Sequence, residues 1–186
     1  MKRYDFIIAG AGGAGLGLAL QLLDSSFKNH SILLVDRDTK QKDDRTWCFW
    51  GDQETACTDI AKYAWENMTI RSESFHKKIN LTKDIKPGWK YWMVSSLDFY
   101  NHALDRIKQA QNVDFILGEI EKVESNKEKA SLWVNGEEYQ ADWLFNSIIK
   151  PGDVVIDPKK HHDLKQHFIG WQIESKQEVF DPETVT

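Results

Sequence analysis

The chain contains few of the residues that cross-link or interrupt a fold. Its 186 residues include two cysteines, Cys48 and Cys57, and four prolines. Two cysteines outside any CxxC pair do not make a disulfide framework, and they favour a reducing, cytoplasmic setting. Neither cysteine stands in a cluster with histidine, and the adjacent His161 and His162 do not converge on one ion. We therefore expect no metal site.

Positive charge and long apolar runs are also scarce. The net charge is −5, and charges of both signs alternate along the chain, which does not suit a nucleic-acid-binding protein. No stretch approaches the roughly 18 apolar residues that cross a bilayer. The apolar run after Lys2 and Arg3 is too short for a signal peptide. Any membrane contact is therefore expected to be peripheral.

Tryptophan, in contrast, is abundant. The chain has eight tryptophans, and 41% of its residues are hydrophobic, which is enough to bury a core. The tryptophans fit two interpretations that the composition leaves open. They could fill an aromatic core, or they could line a wide apolar cavity for a large hydrophobic ligand.

The first forty residues have the pattern of a βαβ unit. Tyr4–Ala9 is an apolar run rich in strand formers, Leu16–Leu23 has helical composition, and Ser31–Asp36 predicts a second buried strand. The turn between the first strand and the helix matches G-x-G-x-x-G, with Gly10, Ala11, Gly12, Gly13, Ala14 and Gly15. This order is typical of a dinucleotide-binding fold.

Three glycines of that turn each have a physical role. Gly10 permits the tight turn, Gly12 lets the backbone approach a pyrophosphate, and Gly15 lets the helix pack close to the strand. The helix N-terminus adds N–H donors and partial positive charge. Asp36, at the end of the second strand, is placed to accept hydrogen bonds from a ribose.

The middle of the chain predicts mixed structure. Thr55–Met68 is expected to be a helix, and 69–94 a set of short antiparallel strands with a turn at Pro87-Gly88. Ser96–Gln109 is expected to be an amphipathic helix with Ser95 or Ser96 as its N-cap.

A run of short strands is predicted after that helix. The strands are Val113–Leu117, Lys129–Val134 and Glu138–Ala141, with Asn135-Gly136 as a two-residue hairpin turn. Asp142–Ser147 predicts a further buried strand. We interpret the three short strands as a β-meander followed by a strand of the main sheet.

Two segments resemble the lycopene cyclases, the flavoproteins that form carotenoid rings in bacteria. Asp44–Trp50, which reads DRTWCFW, closely resembles the family's [N/D]-R-T-W-C-F-W segment. Gln166–Trp171 together with Phe180-Asp181-Pro182 is similar to its Q-x-F-x-G-W…F-D-P segment. The implied fold class is α/β: an FAD/NAD(P)-binding Rossmann-like domain with a β-meander, plus the start of a β-rich substrate domain.

The domain boundaries follow from the same resemblance. Residues 1–150 would form the FAD-binding domain, with 69–94 contributing strands to the substrate domain. Residues 151–186 would be a polar linker and the first strand of that second domain, at Gln166–Ser175. His167, within that strand, is expected to have a hydrogen-bonding role.

The resemblance also implies FAD as the cofactor. In two-domain flavoproteins a meander and a segment like Ala141–Ser147 close the cofactor site, and Ile120 matches the position where the main chain meets the adenine. Arg45 can face the pyrophosphate or the flavin. The expected cofactor-binding residues are Gly10, Ala11, Gly12, Gly13, Ala14, Gly15, Asp36, Arg37, Arg45 and Ile120. Trp47, Phe49 and Trp50 are expected to wall a polyene cavity, flank the flavin or stabilise a carbocation.

The implied activity is acid–base cyclisation of the ends of lycopene to β-rings without net redox change. Reduced FAD, recharged by NAD(P)H, would assist a cytoplasmic enzyme in peripheral membrane contact. The family's key glutamate lies beyond the F-D-P segment, after Thr186, so we assign no catalytic residue and expect the chain alone to be inactive. Two alternatives stay open: an FAD-dependent monooxygenase or prenyl reductase of the same fold, and a non-catalytic flavin-binding module.

Overall fold

A computed structural model describes residues 2–148, 157, 159–160, 173–177 and 179–186. Within these residues the chain forms two α-helices, twelve strands and two short helical turns. The elements in chain order are β1 Lys2–Ala9, α1 Gly13–Leu23, β2 Ile32–Asp36, β3 Thr46–Gly51, a 3₁₀ turn Thr58–Ile60, β4 Tyr63–Trp65, β5 Asn67–Arg71, β6 His76–Asn80, a π-helical turn Leu81–Ile85, β7 Lys90–Ser95, α2 Ser96–Gln109, β8 Val113–Leu117, β9 Ile120–Ser125, β10 Ala130–Val134, β11 Glu137–Asn146 and β12 Thr184–Val185.

The main sheet has six strands in the order β8-β2-β1-β11-β10-β9. The first four of these are parallel to their neighbours, and β11, β10 and β9 form an antiparallel meander. The predicted α/β fold with a βαβ start and a meander is therefore confirmed. The predicted hairpin is present as well: Asn135 and Gly136 both have positive φ, and Val134 pairs with Glu137.

The central parallel strands β1 and β2 are largely buried on both faces, which explains their continuous apolar runs. Ile8 and Leu34 pack towards α1 and α2 on one face. Ile7 and Leu33 lie in the other cluster, together with residues of the meander such as Leu132. This arrangement fixes the carboxyl ends of β1 and β2 beside each other, and the loops that follow them meet there.

The prediction assigned the wrong strands to the meander. Val113–Leu117 is not a meander strand, because it pairs in parallel with β2 and forms one edge of the sheet. The first meander strand is Ile120–Ser125, which the sequence analysis missed. The segments predicted as Glu138–Ala141 and Asp142–Ser147 form one continuous strand, Glu137–Asn146.

That continuous strand is only partly buried. Ala141 is fully buried, but Trp143 keeps 65% of its surface exposed and Phe145 keeps 37%. The prediction of a buried strand at Asp142–Ser147 was therefore wrong for the described residues. The physical reason is that the core beside α1 and α2 is built on β1, β2 and β8, so Trp143 and Phe145 are left outside it.

The predicted helix at Thr55–Met68 was also wrong. Cys57 adopts a left-handed conformation with φ +70°, which interrupts a helix. Only Thr58–Ile60 forms a helical turn, and Tyr63–Trp65 pairs with β7. Pairing with a neighbouring strand has overridden the weak helical pattern of this segment.

Two small sheets complete the described structure. One has the order β3-β7-β4 and the other β12-β5-β6. The antiparallel strands predicted in 69–94 are present, and Gly88 turns with φ +79° as the Pro87-Gly88 turn requires. Thr184–Val185 pairs with β5, and Lys78 forms an exposed ion pair with Asp181 at 3.4 Å. The division into two domains stays a prediction.

Several predictions fall outside the described residues. They concern most of the linker, residues 166–172 of the strand predicted at Gln166–Ser175, and the histidines His161, His162 and His167. The last three residues of that predicted strand, Ile173, Glu174 and Ser175, are described and are not in a strand. Within the described residues, no helix is both long enough and apolar enough to cross a bilayer.

Candidate dinucleotide-binding site

A cavity of about 690 Å³ lies at the carboxyl ends of the central strands. This volume is in the range of small-molecule and cofactor sites. Ligands of open parallel sheets bind at this end of the strands. The described residues that line the cavity are Gly10, Gly12, Gly13, Ala14, Asp36, Arg37, Asp38, Lys40, Asp44, Arg45, Gly118, Glu119, Ile120, Ser147 and Ile148.

The glycine turn supplies one wall of this cavity. Gly10 has φ +103° and donates its N–H to the carbonyl of Val35 at 2.8 Å, which ties the turn to β2. At Gly15 a Cβ would stand 1.8 Å from the carbonyl oxygen of Gly10, so the helix approaches the turn as closely as predicted. At Gly12 a Cβ would meet no atom within 4 Å and would extend into open space.

The heptapeptide strand β3 contacts this turn directly. A Cβ at Gly13 would lie 3.0 Å from Cζ2 of Trp47, so the indole ring occupies the space that the glycine leaves free. The same ring makes edge contacts with Phe99 and Tyr100 of α2, at centroid distances of 5.5 and 5.8 Å. Trp47 therefore packs the glycine turn against the second helix.

Asp36 is held by several donors. One carboxylate oxygen accepts from the backbone N–H of Ala11 at 2.6 Å, and the other accepts from the N–H of Asp38 at 2.8 Å. The ammonium group of Lys40 lies 3.1 Å from the first of these oxygens. The acid predicted to face a ribose thus also braces the glycine turn.

Lys40 is a lining residue that the sequence analysis missed. Its side chain is largely buried and lies over the ring of Tyr100, with Nζ 5.7 Å from the ring centroid. The signal available in the sequence was its position four residues after Asp36, in the loop that leaves β2. The sequence analysis treated this charged segment as a loop and selected no binding residue after Arg37 in it.

Tyr100 extends this network towards the heptapeptide. Its hydroxyl donates to a carboxylate oxygen of Asp44 at 3.1 Å. Burial and this hydrogen bond raise the pKa of Tyr100 to about 12, so the phenol stays protonated at neutral pH. Burial tends to raise the pKa of Asp44, but hydrogen bonds from Tyr100 and Ser96 outweigh it and the pKa is lowered.

Arg45 is positioned through the first residue of α2. The Oγ of Ser96 accepts from the backbone N–H of Asp44 at 2.9 Å and from that of Arg45 at 3.0 Å. The N–H of Ser96 donates in turn to the carbonyl of Arg45 at 2.9 Å. Ser95 is the N-cap of α2, with its side chain accepting from the N–H of Asp98. These bonds hold the start of β3 at the edge of the cavity.

The structure brings most of the predicted cofactor residues together. The cavity lining includes Gly10, Gly12, Gly13, Ala14, Asp36, Arg37, Arg45 and Ile120. Ala11 and Gly15 lie behind the lining: Ala11 is fully buried in the helix-facing core, and Gly15 packs α1 on the turn. Besides Lys40, the lining residues missed from sequence are Asp38, Asp44, Gly118, Glu119 and Ile148, whereas Ser147 belongs to the segment Ala141–Ser147 that was expected to close the site.

The aromatic residues of the heptapeptide do not share one wall. Because side chains alternate along a strand, Trp47 and Phe49 face the core beside α2. Trp50 is on the opposite face, 52% exposed, with its ring 5.0 Å from that of Tyr91. Trp50 therefore does not share a wall with Trp47 and Phe49, and the roles expected of the three rings beside a polyene, a flavin or a carbocation stay predictions.

The residues present fit the phosphate half of a dinucleotide. The open space at Gly12 permits close approach of a ligand to the backbone. Within the described residues, α1 begins there without a side-chain cap, and its first turn has no acidic residue. Arg37, Lys40 and Arg45 place three cationic side chains around the same cavity.

Known structures have the same fold. A p-nitrophenol 4-monooxygenase, PnpA from Pseudomonas putida DLL-E4, matches with a TM-score of 0.62 and 13% identity, over 78% of this chain and 41% of that one. PqsL of P. aeruginosa, in complex with 2-aminobenzoylacetate, matches with a TM-score of 0.60 and 13% identity, over 77% and 42%. CtdE in complex with FAD matches with a TM-score of 0.54 and 14% identity, over 78% and 38%.

The chain thus has a Rossmann-like fold of the FAD/NAD(P)-binding type. The chain spans about two fifths of the length of these similar structures. No curated protein sequence matches the chain. The family model for lycopene cyclase protein matches residues 5–186, and the chain belongs to that family.

Proposed function

We propose that the chain is the FAD-binding part of a lycopene cyclase, which closes the ends of lycopene into β-rings by acid–base chemistry without net redox change. The observation that supports this most is the position of Arg45. The family's heptapeptide places it in the same cavity as the glycine turn, so the family motif and the dinucleotide motif form one site.

The residues of this chain would bind and orient the cofactor. The backbone at Gly12 and the first turn of α1 would receive the pyrophosphate, Arg45 would add a planar fork of donors, and Asp36 would meet the ribose. Ile120 would lie beside the adenine. When bound and reduced, FAD would supply negative charge that offsets the positive charge developing on the cyclising polyene.

The remaining parts of the proposal concern the whole protein. NAD(P)H would serve as the reductant and lycopene or a related carotenoid as the substrate. The protein would work in the cytoplasm in peripheral contact with a membrane, where such a substrate partitions. The acid that protonates the substrate is not assigned to this chain.

FAD binding is tested with a matched pair of variants. Gly12→Ala adds a methyl group in open space at the cavity, and Gly17→Ala adds one in open space on α1 away from it. We expect G12A to weaken FAD binding by at least about tenfold, because the methyl group obstructs the approach of the pyrophosphate. G17A should bind FAD as the unaltered chain does.

Quenching of flavin fluorescence measures the affinity, and thermal unfolding checks that both variants fold. Gly12 has φ −79°, so alanine fits its backbone without strain. Equal FAD affinity of G12A and the unaltered chain would contradict the assigned site, and absence of FAD binding by the unaltered chain would contradict the proposed function.

The reaction type is tested with the complete gene product, lycopene, FAD and NADPH. A product with the mass of lycopene and β-rings supports cyclisation. A product that has gained oxygen would favour the monooxygenase alternative. We name this alternative because the chain resembles a monooxygenase in fold.

A further inference from the structure

Lys40 stands in an unusual position in the loop after β2. Its backbone has φ +59°, a left-handed conformation that a non-glycine residue seldom adopts. Its N–H donates to a carboxylate oxygen of Asp38 at 2.7 Å, which supports this turn. The turn directs the side chain back to Asp36, and the two side chains keep only 14% and 11% of their surface exposed.

Within the described residues, the Lys40 ammonium group pairs with one carboxylate, that of Asp36, and keeps further N–H donors. Asp36 already accepts from the backbone N–H groups of Ala11 and Asp38 in addition to Lys40. An ammonium group has three N–H donors, and the carboxylate of Asp36 takes one of them. The ring of Tyr100 lies beneath the group, and Lys40 lines the cavity.

The lining carries charges of both signs, and Lys40 is its least exposed cation. Among the described lining residues, four are acidic and three are basic. Of the three cations, Arg37 and Arg45 are exposed, whereas the side chain of Lys40 is largely buried. Its charge is therefore the least screened by solvent.

We propose that Lys40 is a ribose-binding residue of the dinucleotide site, where its ammonium group fixes Asp36 and donates to a hydroxyl of the adenosine ribose. This inference rests on the proposed function, because it requires an adenine dinucleotide in the cavity. The glycine-turn pattern assigns only an acid, Asp36, to the ribose, and this inference adds Lys40 as its cationic partner.

The test uses ligands that share the adenosine half of FAD. ADP, 2′-deoxy-ADP and 3′-deoxy-ADP are titrated by calorimetry against the unaltered chain and Lys40→Met. Methionine has much of the length of lysine and meets the same backbone constraint at the positive φ of this position, but it carries no charge. Lys42→Met is the matched control, since Lys42 is exposed in the same loop and is not among the lining residues.

We expect K40M to bind ADP on the order of tenfold more weakly, because a hydrogen bond from a charged group is lost. Removal of one of the two ribose hydroxyls should then cost at least about threefold less affinity in K40M than in the unaltered chain. A purely structural role would not produce this dependence on one hydroxyl. K42M should behave as the unaltered chain.

The possible outcomes separate the two proposals. Suppose that the unaltered chain binds FAD. The role of Lys40 is then refuted, and the proposed function stands, if the chain does not bind ADP, if K40M binds ADP as tightly as the unaltered chain, or if removal of each hydroxyl costs K40M as much affinity as it costs the unaltered chain. If the unaltered chain binds neither ADP nor FAD, the proposed function itself is refuted. Should K40M fail to fold, Lys40→Gln is measured against the same ligands with the same expectation.

Discussion

Ser96 should control both the stability of the chain and the position of Arg45. The residue is fully buried, and its Oγ is the acceptor for the N–H groups of Asp44 and Arg45. Ser96→Ala removes this acceptor and leaves two backbone donors without their partner. A buried donor left unsatisfied costs about 1–3 kcal/mol.

The two donors together do not cost twice this value, because Asp44 and Arg45 are exposed residues and water can replace part of the lost interaction. We therefore expect S96A to lower the free energy of unfolding by about 2 kcal/mol. For a chain of this size that corresponds to a fall in Tm of about 4–8 °C. FAD affinity should fall by about tenfold because Arg45 is no longer held at the cavity.

Ser95→Ala is the control, one residue away. Ser95 caps α2 through the N–H of Asp98 and makes no hydrogen bond to the segment before β3. S95A should cost about 1 kcal/mol, the usual value of an N-cap, and should leave FAD affinity unchanged. Urea unfolding and flavin titration measure both quantities. The reasoning fails if S96A costs less than about 0.5 kcal/mol or binds FAD as S95A does.

Two further changes test the packing and the charge of the site. Gly15→Ala should destabilise the chain by about 3 kcal/mol or more, because the methyl group would collide with the backbone carbonyl of Gly10; chemical unfolding measures this, with G17A as the control. Asp44→Asn should lower stability at neutral pH, where the folded carboxylate accepts from Tyr100. Because the folded pKa of Asp44 is below the unfolded value, this contribution is present above about pH 4 and is lost as the pH falls through the folded pKa. Unfolding curves of D44N and the unaltered chain should therefore converge in acid, and a constant gap would contradict the assignment.

The βαβ start could be predicted because its determinants are local. Each glycine acts on atoms within a few residues of itself or on the adjacent strand: Gly10 turns with positive φ, and Gly15 packs on Gly10. The Asn135-Gly136 hairpin is local in the same way. Segments of this kind contain in their own sequence most of what decides their structure.

The order of the later strands could not be obtained in that way. Val113–Leu117 pairs with β2, about 80 residues earlier in the chain, and nothing in its apolar pattern distinguishes that partner from a meander strand. The polar residues of Ile120–Ser125 hid a strand at the open edge of the sheet, where one face meets water. Register between distant strands is decided by the whole core.

The heptapeptide shows why a family motif does not describe a single surface. Along β3 the side chains alternate, so Trp47 packs on Gly13 and α2, while the ring of Trp50 lies tilted against that of Tyr91 on the other face. Arg45, just before the strand, belongs to the cavity instead. The strand starts at the cavity and runs away from it. Its segment of seven residues therefore contributes Arg45 to the cavity, Trp47 to the packing of the glycine turn and Trp50 to the opposite face. The motif therefore locates the site through Arg45 and Trp47, whereas Trp50 lies on the opposite face of the strand.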